Sequence, residues 1–182
     1  EIYTLSLHDA LPILVDSPMF YVISVCVPVV MAVACPALLK KNGFVEERRW
    51  RRWLYSACGL FAVSWYLPSP LIEGQDTSFS AHFVGGGLFT GLLWYYLKRS
   101  LGWRGHWSLE AFSLFALVSA LGCINELFEL LTVKTGLVWL TLDETNWDIL
   151  ANSLGALVVY IGYLLLNGRE SGSRPPAGPG DA

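Results

Sequence analysis

Along the chain, polar positions fall in clusters separated by long uncharged runs. Met19–Leu39 contains no charged residue, and neither does Trp53–Ile72. Ser80–Leu97 holds only His82. Glu110–Thr132 carries Glu126 and Glu129 near its far end, and Asp148–Leu166 is uncharged after its first residue. Crossing the ~30 Å hydrocarbon layer takes about 20 helical residues, and the runs have about that length. Helices of a soluble protein show a polar stripe at helical period; these runs mostly lack one. The pattern predicts an all-α fold, a polytopic membrane helix bundle filling residues 14–166. It has about five transmembrane helices, at about 19–39, 53–72, 80–97, 110–132 and 148–166.

Charge orients the bundle. Lys40, Lys41, Arg48, Arg49, Arg51 and Arg52 lie between the first and second runs, and Lys98, Arg99 and Arg104 between the third and fourth. Arg169 and Arg174 follow the fifth, which leaves only Lys134 of the 12 basic residues on the other side. The positive-inside rule then predicts an outside N-terminus and a cytoplasmic C-terminus. Trp50, Trp53, Trp94, Tyr95, Tyr96, Trp103 and Trp107 fall at the predicted inner boundaries. Trp65, Tyr66, Trp139 and Trp147 fall near the outer ones, as an aromatic belt would. Composition agrees: 54% of the residues are hydrophobic and 15% are charged, against about 25% charged in soluble domains. A net charge of −3 speaks against a nucleic-acid partner.

The two ends read differently. EIYTLSLHDALPI, residues 1–13, resembles a translated sequencing adapter and is expected to be non-native, so the native chain would be read from about Leu14. Residues 167–182 are rich in Gly, Pro and Ser and are expected to form a disordered cytoplasmic tail.

Within the runs, Cys26, Cys35, Cys58 and Cys123 have no metal-ligand spacing and are expected to be buried structural thiols. Gly87 and Gly91, and Ala151 and Gly155, place small residues four apart, which predicts close packing of the third and fifth spans. Pro28, Pro36, Pro68 and Pro70 predict kinks or helix ends. Glu110, in a first helical turn, suits the helix dipole.

Ionisable residues inside a membrane segment are costly and point to function. At ~1.5 Å per residue, His82 lies about 3 Å below the predicted outer boundary, Glu129 about 5 Å, Asn152 about 6 Å and Glu126 about 9 Å. Asn125 adjoins Glu126, Asp148 opens the fifth span, and Asp143 and Glu144 lie in the loop before it. Polar residues of three spans therefore share one outer layer. Glu126 and Glu129 share a helix face, and so do Asp148, Asn152 and Gly155. This predicts a small polar pocket open to the outside. Glu126, Glu129 and Asp148 are its candidate catalytic groups, and His82, Asn125, Asp143 and Asn152 its candidate ligand-binding groups. His82, Glu126, Glu129 and Asp148 make a ligand set suited to a divalent cation such as zinc or manganese. The pattern offers no evident nucleophile and leaves enzymatic activity undecided. The plainer alternative is a non-catalytic module whose polar side chains tie the helices together, at about 0.6 kcal/mol each. Ion or proton transport ranks last, because the inner halves of the spans offer few polar residues.

HFVGGGLF at 82–89, NELFELL at 125–131 and LDETNWDILANSLGAL at 142–157 resemble the VanZ-like family of small bacterial integral membrane proteins. The resemblance covers about residues 76–166. Its matching positions are His82, Glu126, Glu129, Asp143, Asp148, Asn152 and Gly155, and it departs from the pattern at Asp76 and Asn125. It implies a multi-pass protein of the bacterial cytoplasmic membrane, in contact with membrane lipids and linked to the cell envelope. It also implies an outward pocket suited to an envelope lipid headgroup, a wall precursor or a glycopeptide-like ligand.

Overall fold

The computed structural model describes residues 18–72, 75–134 and 142–172. The segment 1–13 and the tail from residue 173 lie outside the described residues. Helix α1 spans Pro18–Lys41 and continues through Pro28 and Pro36. Helix α2 spans Arg48–Ser64. A two-residue antiparallel pairing, Leu71–Ile72 with Gln75–Asp76, follows it. Helix α3 is built of three abutting segments, Phe79–Ala81, His82–Leu88 and Phe89–Ser100. Helix α4 spans Trp107–Lys134 and helix α5 spans Leu142–Gly172. The fold is all-helical apart from that short pairing. Among the described residues, three stretches, Val22–Lys41, Trp107–Leu131 and Thr145–Leu166, are long and apolar enough to cross a membrane. Their large apolar side chains turn outward: Val33 is 67% exposed, Phe112 68% and Leu165 65%.

Several boundaries differ from those the sequence predicts. Helix α2 begins at Arg48 and stops at Ser64, rather than running from 53 to 72. Its last turn tightens, with Tyr66 N–H donating to Val63 O and Leu67 N–H to Ser64 O. Pro68 and Pro70 then offer no donor to continue it. The chain turns back instead, held by Thr77 Oγ1 donating to Pro70 O and Ser80 N–H to Ser69 Oγ. Helix α5 starts at Leu142, not at 148, and runs past Leu166 to Gly172.

Close approach of α3 to its neighbours rests on glycine. A Cβ on Gly85 would strike the Ser64 hydroxyl of α2, and one on Gly86 would strike the Asn152 side chain of α5. A Cβ on Gly87 would lie 2.6 Å from Asn152 O and 2.7 Å from Gly155 Cα. One on Gly155 would meet the Phe83 carbonyl, and one on Gly91 would lie 2.6 Å from Val159 Cβ. The predicted packing of the third and fifth spans is thus a backbone-to-backbone contact, with Ala151 fully buried beside it. Over this same stretch, His82–Leu88, α3 widens to π-helical, i to i+5, bonding.

The core has two parts. Leu39, Leu54, Ala57, Cys58, Phe89, Leu93 and Tyr96 join α1, α2 and α3. Trp94, Leu114, Val118, Ala156 and Tyr160 join α3, α4 and α5. Trp94 and Tyr96 are 4% and 0% exposed, so they are interior packing residues and not members of a belt. Trp94 lies edge-on to Tyr160 and Tyr163 and donates Nε1–H to Ser113 Oγ at 2.8 Å. Trp107, by contrast, is 61% exposed. The thiols divide: Cys58 is buried and donates to Pro28 O, Cys35 is half-buried, and Cys26 and Cys123 face outward, on helix faces that no element among the described residues covers.

Glu110 does more than face a dipole. It is buried, and its carboxylate takes Lys98 Nζ, Gly105 N–H and the Tyr163 hydroxyl. Lys98 also donates to Trp103 O, and Tyr160 Oη–H to Trp107 O. This network locks α3, α4 and α5 together at the end opposite His82.

Adding a methyl at Gly87 must push two backbones apart, whereas nothing lies within 4 Å of a Cβ at Gly59. Gly87→Ala should therefore lower stability by about 1–3 kcal/mol. Gly59→Ala should be neutral or raise it by up to ~1 kcal/mol. Thermal unfolding in detergent compares the two.

Candidate functional site

The site lies where the start of α3 meets the far end of α4 and the second turn of α5. The early start of α5 matters here. It places Asp148 about 9 Å along the helix, facing α3, and Asp148 is only 1% exposed. The acid predicted to sit at the boundary is the most enclosed carboxylate of the site.

Asp148 Oδ1 receives the Ser78 hydroxyl at 2.7 Å and lies 3.3 Å from His82 Nε2. The same ring nitrogen lies 3.9 Å from Glu129 Oε1 of α4. Glu129 Oε1 in turn receives Asn125 Nδ2–H at 2.6 Å, one helical turn back. The three side chains differ in access. Asp148 is closed off, His82 is 15% exposed and Glu129 24%, so the site grades from interior to opening. Ser78 adopts a left-handed backbone, φ 48°, uncommon for a residue with a Cβ. That conformation starts α3 and carries the hydroxyl to Asp148.

Asn152 is buried. It packs over Gly86, its Nδ2 would lie 3.7 Å from a Cβ on Gly122, and its side chain is a hydrogen-bond partner of His82. Its Oδ1 has no partner among the described residues. Glu126 stands apart from the His82 group. It bonds the Thr145 and Asn125 side chains, and its buried Oε1 has no partner among the described residues. Asp143 is placed on the first turn of α5, but its side chain lies outside the described residues. Of the four side chains expected to share a cation, the structure therefore brings together His82, Glu129 and Asp148, and sets Glu126 aside.

The donor atoms of these three all lie within 4.8 Å of one another. Metal–ligand bonds of about 2.0–2.2 Å around a tetrahedral ion separate ligand atoms by about 3.3 Å. The distances of 3.3 and 3.9 Å from His82 are therefore close to a ligand shell. One imidazole and two carboxylates would neutralise a dication and leave coordination positions open on the Glu129 side. A cation held there could polarise a phosphoryl or carbonyl oxygen or lower the pKa of a bound water.

Ser78 and Thr145 belong to this constellation but were not singled out by sequence. Each is an ordinary hydroxyl in its segment. Only its spacing, four residues before His82 and three before Asp148, hints at a shared face.

No family profile, curated protein or solved structure matches the chain.

Ser78→Ala removes a donor from a buried carboxylate, at about 1–3 kcal/mol, and keeps a Cβ where φ is positive. Ser78→Gly loses the same hydrogen bond but relieves about 1 kcal/mol of backbone strain. The expected order of melting temperature in detergent is wild type, then Ser78→Gly, then Ser78→Ala.

Proposed function

We propose that this chain is a VanZ-like integral membrane protein of the bacterial cell envelope. In this reading, an outward-facing pocket binds a divalent cation and, through it, an anionic lipid headgroup, a wall precursor or a glycopeptide-like ligand. The convergence of His82, Glu129 and Asp148 from three helices carries the reading. A carboxylate as enclosed as Asp148 beside an imidazole and a second acid is stabilised by positive charge placed among them. The order and spacing of HFVGGGLF, NELFELL and LDETNWDILANSLGAL support the family.

The same reading makes all five helices spans, with the N-terminus outside and the C-terminus cytoplasmic. The basic connections 40–52 and 98–104 support it, since Tyr96 Oη–H donates to Glu46 and brings them to one end of the bundle. The polar pocket occupies the other end. Reporter fusions should then give cytoplasmic activity after Asn42 and Arg104 and external activity after Gly74 and Val138. The opposite assignment would reverse the pocket's side.

The alternative is a non-catalytic module whose polar residues form a structural network. It is favoured by the hydrogen bonds from Ser78 and Asn125, which already serve the two carboxylates. Metal analysis separates the readings. Purified wild type dialysed against zinc or manganese should retain about one ion per chain. Asp148→Asn and Glu129→Gln should each weaken retention at least about tenfold, and Glu126→Gln should leave it nearly unchanged. Wild type without metal, together with a fall in melting temperature in the Asp148 and Glu129 variants, would instead establish the network.

A further inference from the structure

A ligand can reach the His82 site along the bundle axis or from the flank, and the two routes differ. The axial route is roofed. Ser78 donates to Asp148, and Thr77 beside it is buried and donates to Pro70 O. Phe79 precedes His82 by one helical turn, Trp147 adjoins Asp148, and the two rings meet edge-on with centroids 6.4 Å apart. Phe79 also stacks on Phe83 at 6.1 Å, so aromatic rings stand on both sides of His82 along α3. Ser80 N–H donates to Ser69 Oγ and ties the connection after α2 to this roof. Hydroxyl on carboxylate and ring against ring thus bridge α3 to α5 at the end of the bundle.

The flank is open. Exposure rises from Asp148 through His82 to Glu129, on α4. Glu129 stands between Phe128 and Leu130, which are 45% and 50% exposed, and Leu127 and Leu131 are exposed beside them. On α5, Ile149 and Leu150, next to Asp148, are exposed as well. These positions all fall within the apolar stretches. Glu129 lies about 3 Å inside the end of Trp107–Leu131, and Asp148 about 4.5 Å inside the start of Thr145–Leu166. With α4 and α5 in a membrane, the open edge of the site is bordered by side chains that meet acyl chains. A carboxylate edge is costly against hydrocarbon. A lipid whose head turns into the site covers that edge with polar atoms while its chain stays on the apolar border. A dication among oxygen ligands in turn takes a phosphate oxygen.

We infer that the site is entered sideways from the membrane, beside Glu129, and that its ligand is an anionic phospholipid. The phosphate meets the cation held by His82, Glu129 and Asp148, and the acyl chain lies against Phe128, Leu130 and Leu131. The inference rests on the cation reading above and narrows its ligands to those that carry a hydrocarbon chain.

The test uses the full chain, loaded with manganese, in phosphatidylcholine nanodiscs. A trace of phosphatidic acid carries a photoreactive diazirine on one acyl chain, and phosphatidylcholine with the same tag is the reference. After illumination, labelled residues are identified by mass spectrometry, and retained manganese is measured on the same sample. Labelling of residues 124–131 by phosphatidic acid should exceed that by phosphatidylcholine about tenfold, near the effect of one charge-assisted contact. Val22 and Val25, exposed on α1 in the same half of the bundle, should not distinguish the two lipids. Glu129→Gln should remove the preference. Treating wild type with EDTA should do the same without any substitution, so a folding failure of the variant leaves the test standing. Millimolar glycerol phosphate, the same head without a chain, should not displace the label. Equal labelling by the two lipids in wild type that holds manganese overturns this inference alone. Displacement by glycerol phosphate also overturns it, since the head then suffices and enters from water, and so does a preference that survives EDTA. Equal labelling in wild type that holds no manganese defeats the cation reading and this inference with it.

Discussion

The architecture depends on one contact, the backbone of α3 lying against the backbone of α5 at Gly87 and Gly155. In lipid no hydrophobic force drives helices together, so association rests on van der Waals fit and on buried polar pairs. Without side chains between them, the two helices come close enough for Asn152 to reach over Gly86 and for Asp148 to reach Ser78 and His82. The widened bonding of His82–Leu88 coincides with this contact. Insertions of this kind are common where a helix presents functional groups. Here the wide stretch begins at His82 itself. The glycines and the histidine are therefore one device: the first set the distance at which the second meets its acids.

Around that contact the polar groups form two layers. At one end lie Ser78, His82, Asn125, Glu129, Asp148 and Asn152. At the other lie Lys98, Glu110, Tyr163 and Glu46 with Tyr96. The second layer is closed by charge pairing. Lys98 and Glu110 neutralise each other, and Tyr163 and Gly105 take up remaining acceptor positions of the carboxylate. The first layer has carboxylates in excess of any cation among the described residues. The asymmetry separates a layer closed by charge pairing from the one that carries the candidate site.

Much of this was legible in the sequence. Uncharged runs gave the helices, and small residues four apart gave the α3–α5 contact. The outer-layer placement of His82 and Glu129 pointed to the cluster that the structure brings together, although Asp148 was expected at the boundary and lies further along α5. What was missed has physical causes. Helix ends depend on caps and on prolines outside the helix, so α2 stops at Ser64 although the apolar run continues to Ile72. Depth along a helix does not determine rotation about it, so Glu126, one position from Asn125, turned to Thr145 and left the His82 group. Aromatic residues near a predicted boundary can face lipid or core, and hydropathy does not distinguish them. Trp94 and Tyr96 went inward because α3 has neighbours on both sides. Glu110 read as a dipole residue because Lys98 and Tyr163 are distant in sequence.

The remaining physical question in the site is which positive group balances Asp148. Removing a carboxylate from water costs several kcal/mol, and a hydroxyl such as Ser78 recovers only part of that. Protonated His82 at 3.3 Å would supply one positive charge, but Glu129 at 3.9 Å from the same nitrogen would then leave the trio net negative. A dication neutralises both carboxylates while leaving the imidazole uncharged and free to act as a ligand. Asn125 fits either outcome, since it aims Glu129 inward by holding one oxygen. In the proposed reading, a cation among these side chains would balance the charge that His82 and Ser78 leave on the two carboxylates. A structural role alone would be met more cheaply by the neutral amides and hydroxyls already present in the same layer.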